Sequence, residues 1–163
     1  MAYPFFITIE GQKQGIFKGD AERKGKASRI AGIRFFSEIV SPRDAASGQA
    51  SGRRIHKPIS FTKEWDASSP QLFQACAANE NLKSVLFEFI RADASGKEAV
   101  HYTIRLTNAN IASVRSYVDL TDNTGDPFDA HELEDVELVF GKIELEDLVG
   151  KTMAVDDWST PDV

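Results

Sequence analysis

The chain has 163 residues, a formal net charge of −6, and 42% hydrophobic and 27% charged residues. That length suits one globular domain spanning 1–163 that buries its core without a metal or disulfide staple. The acidic balance argues against a surface built throughout for nucleic acid. The charge is unevenly spread, however. Residues 1–80 hold 12 Lys and Arg against 8 Asp and Glu, whereas residues 81–163 hold 7 against 17.

A lone Cys76 offers no internal disulfide. The opening residues carry neither a basic segment nor a long apolar one, and no apolar run approaches the ~18–20 residues of a membrane span. The expectation is synthesis as a soluble cytoplasmic protein.

Period-two alternation dominates the chain. Phe5, Ile7 and Ile9 alternate with Phe6, Thr8 and Glu10 in a first strand, after which Gly11, Gly15 and Gly19 punctuate a loop leading into the charged stretch Lys18 to Lys26. Ile33, Phe35, Ser37 and Ile39 predict the inner face of a second strand, with Arg34, Phe36 and Glu38 opposite. Both faces are partly apolar, so this strand should meet protein on both sides. Ser41 to Arg54 is rich in Gly, Ser and Ala without apolar period, which predicts a long, mobile loop.

Alternation resumes at Ile59 and Phe61 and runs to Trp65. Ser69 as N-cap and Pro70 in the first turn then signal a short helix, with Ser68 and Gln71 an alternative capping box. Leu72, Phe73, Cys76 and Ala77 are expected on its buried face, and Asn79 as its stop. Val85, Phe87 and Phe89 form the next strand, turned at Ala94 to Lys97 into Val100, Tyr102, Ile104 and Leu106. Asn108-Ala109-Asn110 marks a corner or bulge before Val114 to Leu120, and Asp122 to Asp129 a turn-rich loop. In the last strand Val136, Leu138 and Phe140 share one parity and Ile143 and Leu145 the other, which places a β-bulge at Gly141. Residues 150–163 read as a polar tail bearing Trp158. The sum is a mainly β protein: a small antiparallel β-barrel, or two packed sheets, with one lateral α-helix and an extended loop over 41–54.

Catalytic signals are weak. His56, His101 and His131 stand far apart without zinc-site spacing, so no metal and no cofactor is expected. Cys76 lies on the helix as a small hydrophobe with no basic neighbour to activate it. Asp20 to Ala27 shares only Gly25-Lys26 with a P-loop. Glu132, Glu134, Asp135 and Glu137, followed by Glu144, Glu146 and Asp147, suit a solvated or interfacial acidic face better than glycosidase or calcium chemistry. Arg53-Arg54-Ile55-His56-Lys57 is the strongest basic cluster, read as the base of a loop that pairs with an acidic surface.

Gly52-Arg-Arg-Ile-His56-Lys-Pro58 together with Thr62-Lys63, Asp66 and Ser68-Ser69-Pro70 resembles the core signature of the Hcp family, the haemolysin-coregulated tube proteins of bacterial type VI secretion systems. The likeness continues through Val85 to Phe89, Tyr102 to Asn108, Ile111 to Val114, and His131 to Ile143, with a late Trp158. Two departures stand out. Glu144-Leu-Glu-Asp replaces the aromatic finish of many members, and the segment Gly11 to Gly25 is unusually basic.

The resemblance implies a barrel with a lateral helix, no enzymatic activity, and assembly into stacked hexameric rings. A contractile sheath would expel the tube, capped by a spike protein, with small effectors in its lumen. It also implies passage from the bacterial cytoplasm to the outside without a cleaved signal peptide. Length leaves no room after Leu148 for an appended toxin. The candidate interface residues are Arg43, Asp44, Gln49, Arg53, Arg54, His56 and Lys57, with Arg43, Arg53 and Arg54 expected to meet acidic groups of a neighbouring subunit or ring. The alternatives are a monomeric barrel binding a small ligand or carbohydrate, and a hydrolase using Asp66 with the acidic cluster.

Overall fold

The computed structural model describes residues 4–19, 29–120 and 130–158. The P-loop look-alike at 20–27, positions 20–25 of the basic opening segment and the 122–129 turn lie outside the described residues. The elements are β1 (Phe5–Gly11), β2 (Gly15–Ile16), β3 (Ile30–Gly32), β4 (Arg34–Phe36), β5 (Ile39–Val40), β6 (Ile55–His56), β7 (Ile59–Glu64), α1 (Ser68–Ala77), β8 (Leu82–Ala92), β9 (Glu98–Leu120), β10 (Ala130–Asp147) and β11 (Thr152–Asp157).

One antiparallel sheet runs in the order β2-β1-β8-β9-β10-β7-β4, with β3 also on β1 and β11 also on β10. Consecutive β3 and β4 pair with β1 and β7, the strands next to opposite ends of that order, and so draw the sheet round into a barrel. The single strand expected from Ile33 to Ile39 is two pieces, β4 and β5, interrupted at Ser37 and Glu38. Just before it, at Gly32, a Cβ would lie 2.1 Å from the Phe5 ring. The chain passes close over that ring, and Phe35 beyond it drops into the core edge-on to Phe5, Phe87 and Phe89. Phe36, on the opposite face, is 55% exposed, and Ile39, expected to point inward, is 57% exposed because it lies beyond the interruption in a separate strand.

Alternation packs the barrel as the hydropathy pattern requires. Ile7, Ile9, Ile59, Phe61, Val85, Phe87, Leu106, Val136 and Leu138 are buried together. In β10 the inward side chains do switch from Phe140 to Ile143. The register across Gly141 nevertheless holds, since Phe140 faces Ala109 and Lys142 faces Thr107. The switch is shared with β9, where Asn108 takes a left-handed φ of 53° opposite Gly141 and inward residues change from Leu106 to Ala109. The register shift itself lies three residues earlier, between Glu137 and Leu138. Beyond Leu148 the expected tail instead returns as β11 on the end of β10.

The helix starts at Ser68, with Ala67 as N-cap and no side-chain bond from the cap residue. Ser69 is not the cap because its hydroxyl is used elsewhere: it donates to Glu134 Oε1 at 2.7 Å and accepts the Asp66 N–H at 3.0 Å. Asp66 instead accepts the Ser68 N–H at 2.8 Å. Ser68, Leu72 and Ala75 form the buried stripe with Cys76 half-buried beside it, so the inward face is rotated from the expected one and Phe73 is 67% exposed. Asn79, with φ 51°, closes the helix.

What fastens this helix to the barrel is a buried charge. Lys63 has the same inward parity as Ile59 and Phe61 and is 0% exposed. Directly across the ladder stands Glu134, whose Oε1 lies 2.5 Å from the ammonium. Asp66 Oδ1 at 2.9 Å, the Glu64 carbonyl at 2.9 Å and Ser69 Oγ at 3.2 Å complete its surroundings. Burying an ion is expensive unless it is paired and its hydrogen-bonding capacity met, and here both conditions hold. Trp65 Nε1 adds a bond to the Leu133 carbonyl at 2.8 Å.

The far end of the helix is tied down by Glu80. Burial pushes this carboxyl up, but the Gln14 and Lys13 N–H groups and the Gln14 amide overcome that and leave it below its usual 4.5. Gly11 makes the space, since a Cβ there would lie 2.2 Å from Glu80 Oε2.

Two predictions follow from these buried charges. Lys63→Met strands Glu134 and Asp66 without a counter-charge and should cost about 3–5 kcal/mol by urea unfolding. Because the Glu80 pKa is lowered on folding, its ionised form stabilises the fold above the ordinary carboxylate range, and that stabilisation is lost as pH falls through the folded value. Glu80→Gln should therefore lower the urea midpoint at pH 7, with the gap to the parent protein narrowing below about pH 4.5.

Candidate assembly surface: a projecting arm and a charged cleft

The segment expected to be a mobile loop is an ordered hairpin. Ile39 and Val40 pair with His56 and Ile55 as a separate two-stranded sheet, and Arg43 bridges Ala50 near the tip. Asp44 organises the turn. Its carboxylate accepts the Ala46 N–H at 2.8 Å and the Ser47 N–H at 2.9 Å, and its own N–H donates to the Gln49 carbonyl. The Ser47 and Ala46 N–H groups hold the Asp44 carboxyl below its usual value. A polar composition lacking apolar period had pointed to mobility; the Asx turn supplies order without apolar contacts.

The candidate interface residues divide along this arm. Arg43, Asp44, Gln49 and Arg53 are exposed on its outer part. Arg54, His56 and Lys57 sit at its root and reach the barrel. Arg54 Nε lies 2.6 Å and His56 Nε2 2.7 Å from the same oxygen, Asp156 Oδ2 of β11. Hydrogen bonds from Arg54 and His56 hold the Asp156 carboxyl below its usual value against the opposing effect of burial. Lys57 Nζ lies 3.4 Å from Glu38. The His56 ring is edge-on to Phe140 at 5.3 Å and to Trp158 at 5.2 Å. Trp158 in turn donates from Nε1 to the Phe140 carbonyl. Asp156 escaped the sequence reading, since nothing in a short polar segment tells that it will pair with residues a hundred positions earlier.

The second feature is a cleft of 490 Å³ on the outer face of β4, β7, β10 and β9. Ladder register places Arg34, Thr62, Asp135 and Arg115 in one row across the four strands, and Phe36, Ser60, Glu137 and Ser113 in the next. Asp135 Oδ1 accepts from Thr62 Oγ1 at 2.6 Å and from Tyr117 Oη at 3.1 Å. Burial, with the bond to Asp135 adding, pushes the Tyr117 phenol up. Arg115 lies over the Tyr117 ring, 5.8 Å from its centroid. Acidic and basic groups thus alternate on one concave surface.

The residues once weighed for hydrolysis have structural occupations. Asp66 and Glu134 are committed to Lys63 and to the helix start. His131 faces Glu64 at 3.6 Å, and His101 stands in β9 at a register shift. Among the described residues no group of three His, Cys, Asp or Glu side chains is placed to hold a metal ion. No helix among them is long and apolar enough to cross a membrane.

Comparison with known proteins agrees with this architecture. Residues 6–146 match the family described as "Type VI secretion system effector, Hcp". The chain is 34% identical over 172 aligned positions to the "Major exported protein" of Pseudomonas aeruginosa strain PAO1, covering 99% of this chain and 98% of that protein. Among solved structures, one described as an Hcp protein superposes with a TM-score of 0.87 at 29% identity, covering 96% of this chain and 98% of the other. A mutant Hcp1 of Escherichia coli EAEC 042 gives 0.82 at 27% identity, covering 96% and 99%. Secreted Hcp3 of Pseudomonas aeruginosa gives 0.77 at 28% identity, again covering 96% and 99%. With its signature residues Arg54, His56, Lys63, Asp66 and Ser69 engaged at the arm root and the helix anchor, this chain belongs to the Hcp family of type VI secretion proteins.

Proposed function

We propose that the chain is a tube subunit of a type VI secretion apparatus, one domain per subunit, assembling as hexameric rings that stack. The carrying observation is the arm: an ordered hairpin standing off the barrel, with Ile39 57% and Ile55 48% exposed, beside the exposed Phe36 on β4. Apolar side chains on an ordered projection gain by burial against another copy, and a head-to-tail contact whose rotation closes gives a ring. In this reading Arg43, Asp44, Gln49 and Arg53 face a neighbouring subunit or ring, while Arg54, His56 and Lys57 set the root from which they project.

The partners implied by the family are the contractile sheath that expels the tube, the spike that caps it, and small effectors carried in the lumen. The subunit is made in the bacterial cytoplasm and leaves through the apparatus without a cleaved signal peptide. Its role is assembly, with no catalytic step and no cofactor. The mixed-charge cleft offers guest polypeptides both carboxylate and guanidinium partners. The rival reading, a monomeric ligand-binding barrel, needs a lined interior, whereas here Ile7, Ile9, Phe61, Phe87 and Leu106 occupy it.

Purified protein should sediment as a closed ring and show annular particles by electron microscopy; a monomer at high concentration would contradict the reading. Reversing Arg43 and Arg53 to Glu should weaken ring stacking at low ionic strength, with a smaller difference near 1 M salt, where screening falls to about 3 Å. Unchanged tube length in both salts would remove these two residues from the interface.

A further inference from the structure

The arm is a two-stranded ribbon of the kind that is marginal by itself, held by two residue pairs and one bridge. Its direction must therefore come from its root. Three elements meet there. His56 of β6 and Arg54, the residue just before β6, converge on one carboxylate oxygen of Asp156 in β11. The Arg54 guanidinium extends further to the Asp157 carbonyl at 3.4 Å. Strand β10 contributes Phe140, which with Trp158 brackets the His56 ring, leaving that side chain 6% exposed. The Trp158 N–H donates to the Gly141 carbonyl at 3.1 Å and so keeps the end of β11 in place.

We infer that Asp156 is a positioning residue for assembly: by gripping Arg54 and His56 together it presets the angle at which the arm leaves the barrel. The inference rests on the tube reading above for its consequence but not for the latch itself. A carboxylate that accepts from two donors on one short stretch of chain resists rotation of that stretch in a way a single exposed ion pair does not. Presetting the arm removes the ordering cost that an unfixed hairpin would meet on contact with another copy. Asp156 thus acts at a distance from the surface that touches the neighbour, through Arg54 and His56. The clustering also ties a terminal strand made mostly of exposed residues to the arm as well as to β10.

Asp156→Asn keeps the shape of the side chain and removes the charge. Hydrogen exchange on this full-length variant should show amides of residues 39–56 exchanging at least about tenfold faster, while those of β8 and β9 keep their protection. Ring assembly, read by sedimentation velocity against concentration, should require more protein by a similar factor. Arm exchange that stays at the parent rate would overturn the latch. A rise that spreads equally to β8 and β9 would overturn it too, because Asp156 would then support the whole barrel. A loosened arm with unaltered assembly would overturn the positioning role. If the parent protein forms no ring, the tube reading fails separately, and arm exchange still decides whether Asp156 fixes the arm.

Discussion

A lysine ammonium taken wholly out of water sets the terms for this fold. Lys63 stands at an inward position of β7, where the pattern Ile59, Phe61 calls for another apolar side chain. Its charge is tolerable only if β10 is in register, for Glu134 must lie directly opposite, and only if the segment after β7 turns so that Asp66 and Ser69 come within reach. The helix begins where it does because of that demand. Ser69 is drawn off capping duty, Asp66 takes the duty over, and the inward face of the helix is set by Ser68 and not by its largest apolar residues. A hydrophobic residue at 63, with apolar residues also in place of Glu134 and Asp66, would fill the barrel without specifying any of this.

The molecule thus has two kinds of order. The barrel is held by an aromatic and aliphatic interior, with charges buried only where they are matched. The arm has no interior. Its order comes from an Asx turn at the tip, two residue pairs along its length and a polar grip at its root. Such a construction suits a part whose apolar side chains are reserved for another molecule, since an arm that buried Ile39 and Ile55 on its own barrel would have nothing left to offer.

Much of this was legible beforehand where a local rule governs. Alternation located the long strands and the barrel, Asn79 the end of the helix, and the change of parity at Gly141 a real exchange of faces. The signature from Gly52 to Pro70 pointed to the family. What stayed hidden depends on partners distant in the chain. The pairing of Arg54 and His56 with Asp156 has no local trace, so those residues read as a basic surface. The return of residues 152–157 as a strand is equally mute, because its side chains are mostly exposed and polar. Phe73 looked like core since helical spacing allows it; only the anchoring of Ser68 turns it outward. A fair signal did exist for the buried network: Lys63 shares its parity with two core residues, and Glu134 shares that of Val136 and Leu138.

The order in which the chain is made gives these long-range bonds another meaning. Ser69 lies 65 residues before Glu134, and Arg54 lies 102 before Asp156. At synthesis rates of about 5–20 residues per second, the ribosome needs on the order of several seconds to supply Glu134 after Ser69 has been added. Throughout that interval Lys63 lacks its cross-strand partner Glu134 and the barrel cannot close. Asp156 comes later still, 102 residues after Arg54. A nascent chain that has not yet reached these residues therefore lacks both the closed barrel and the fixed arm, so growing polypeptides on neighbouring ribosomes are poor partners for one another until Glu134 and Asp156 have been added.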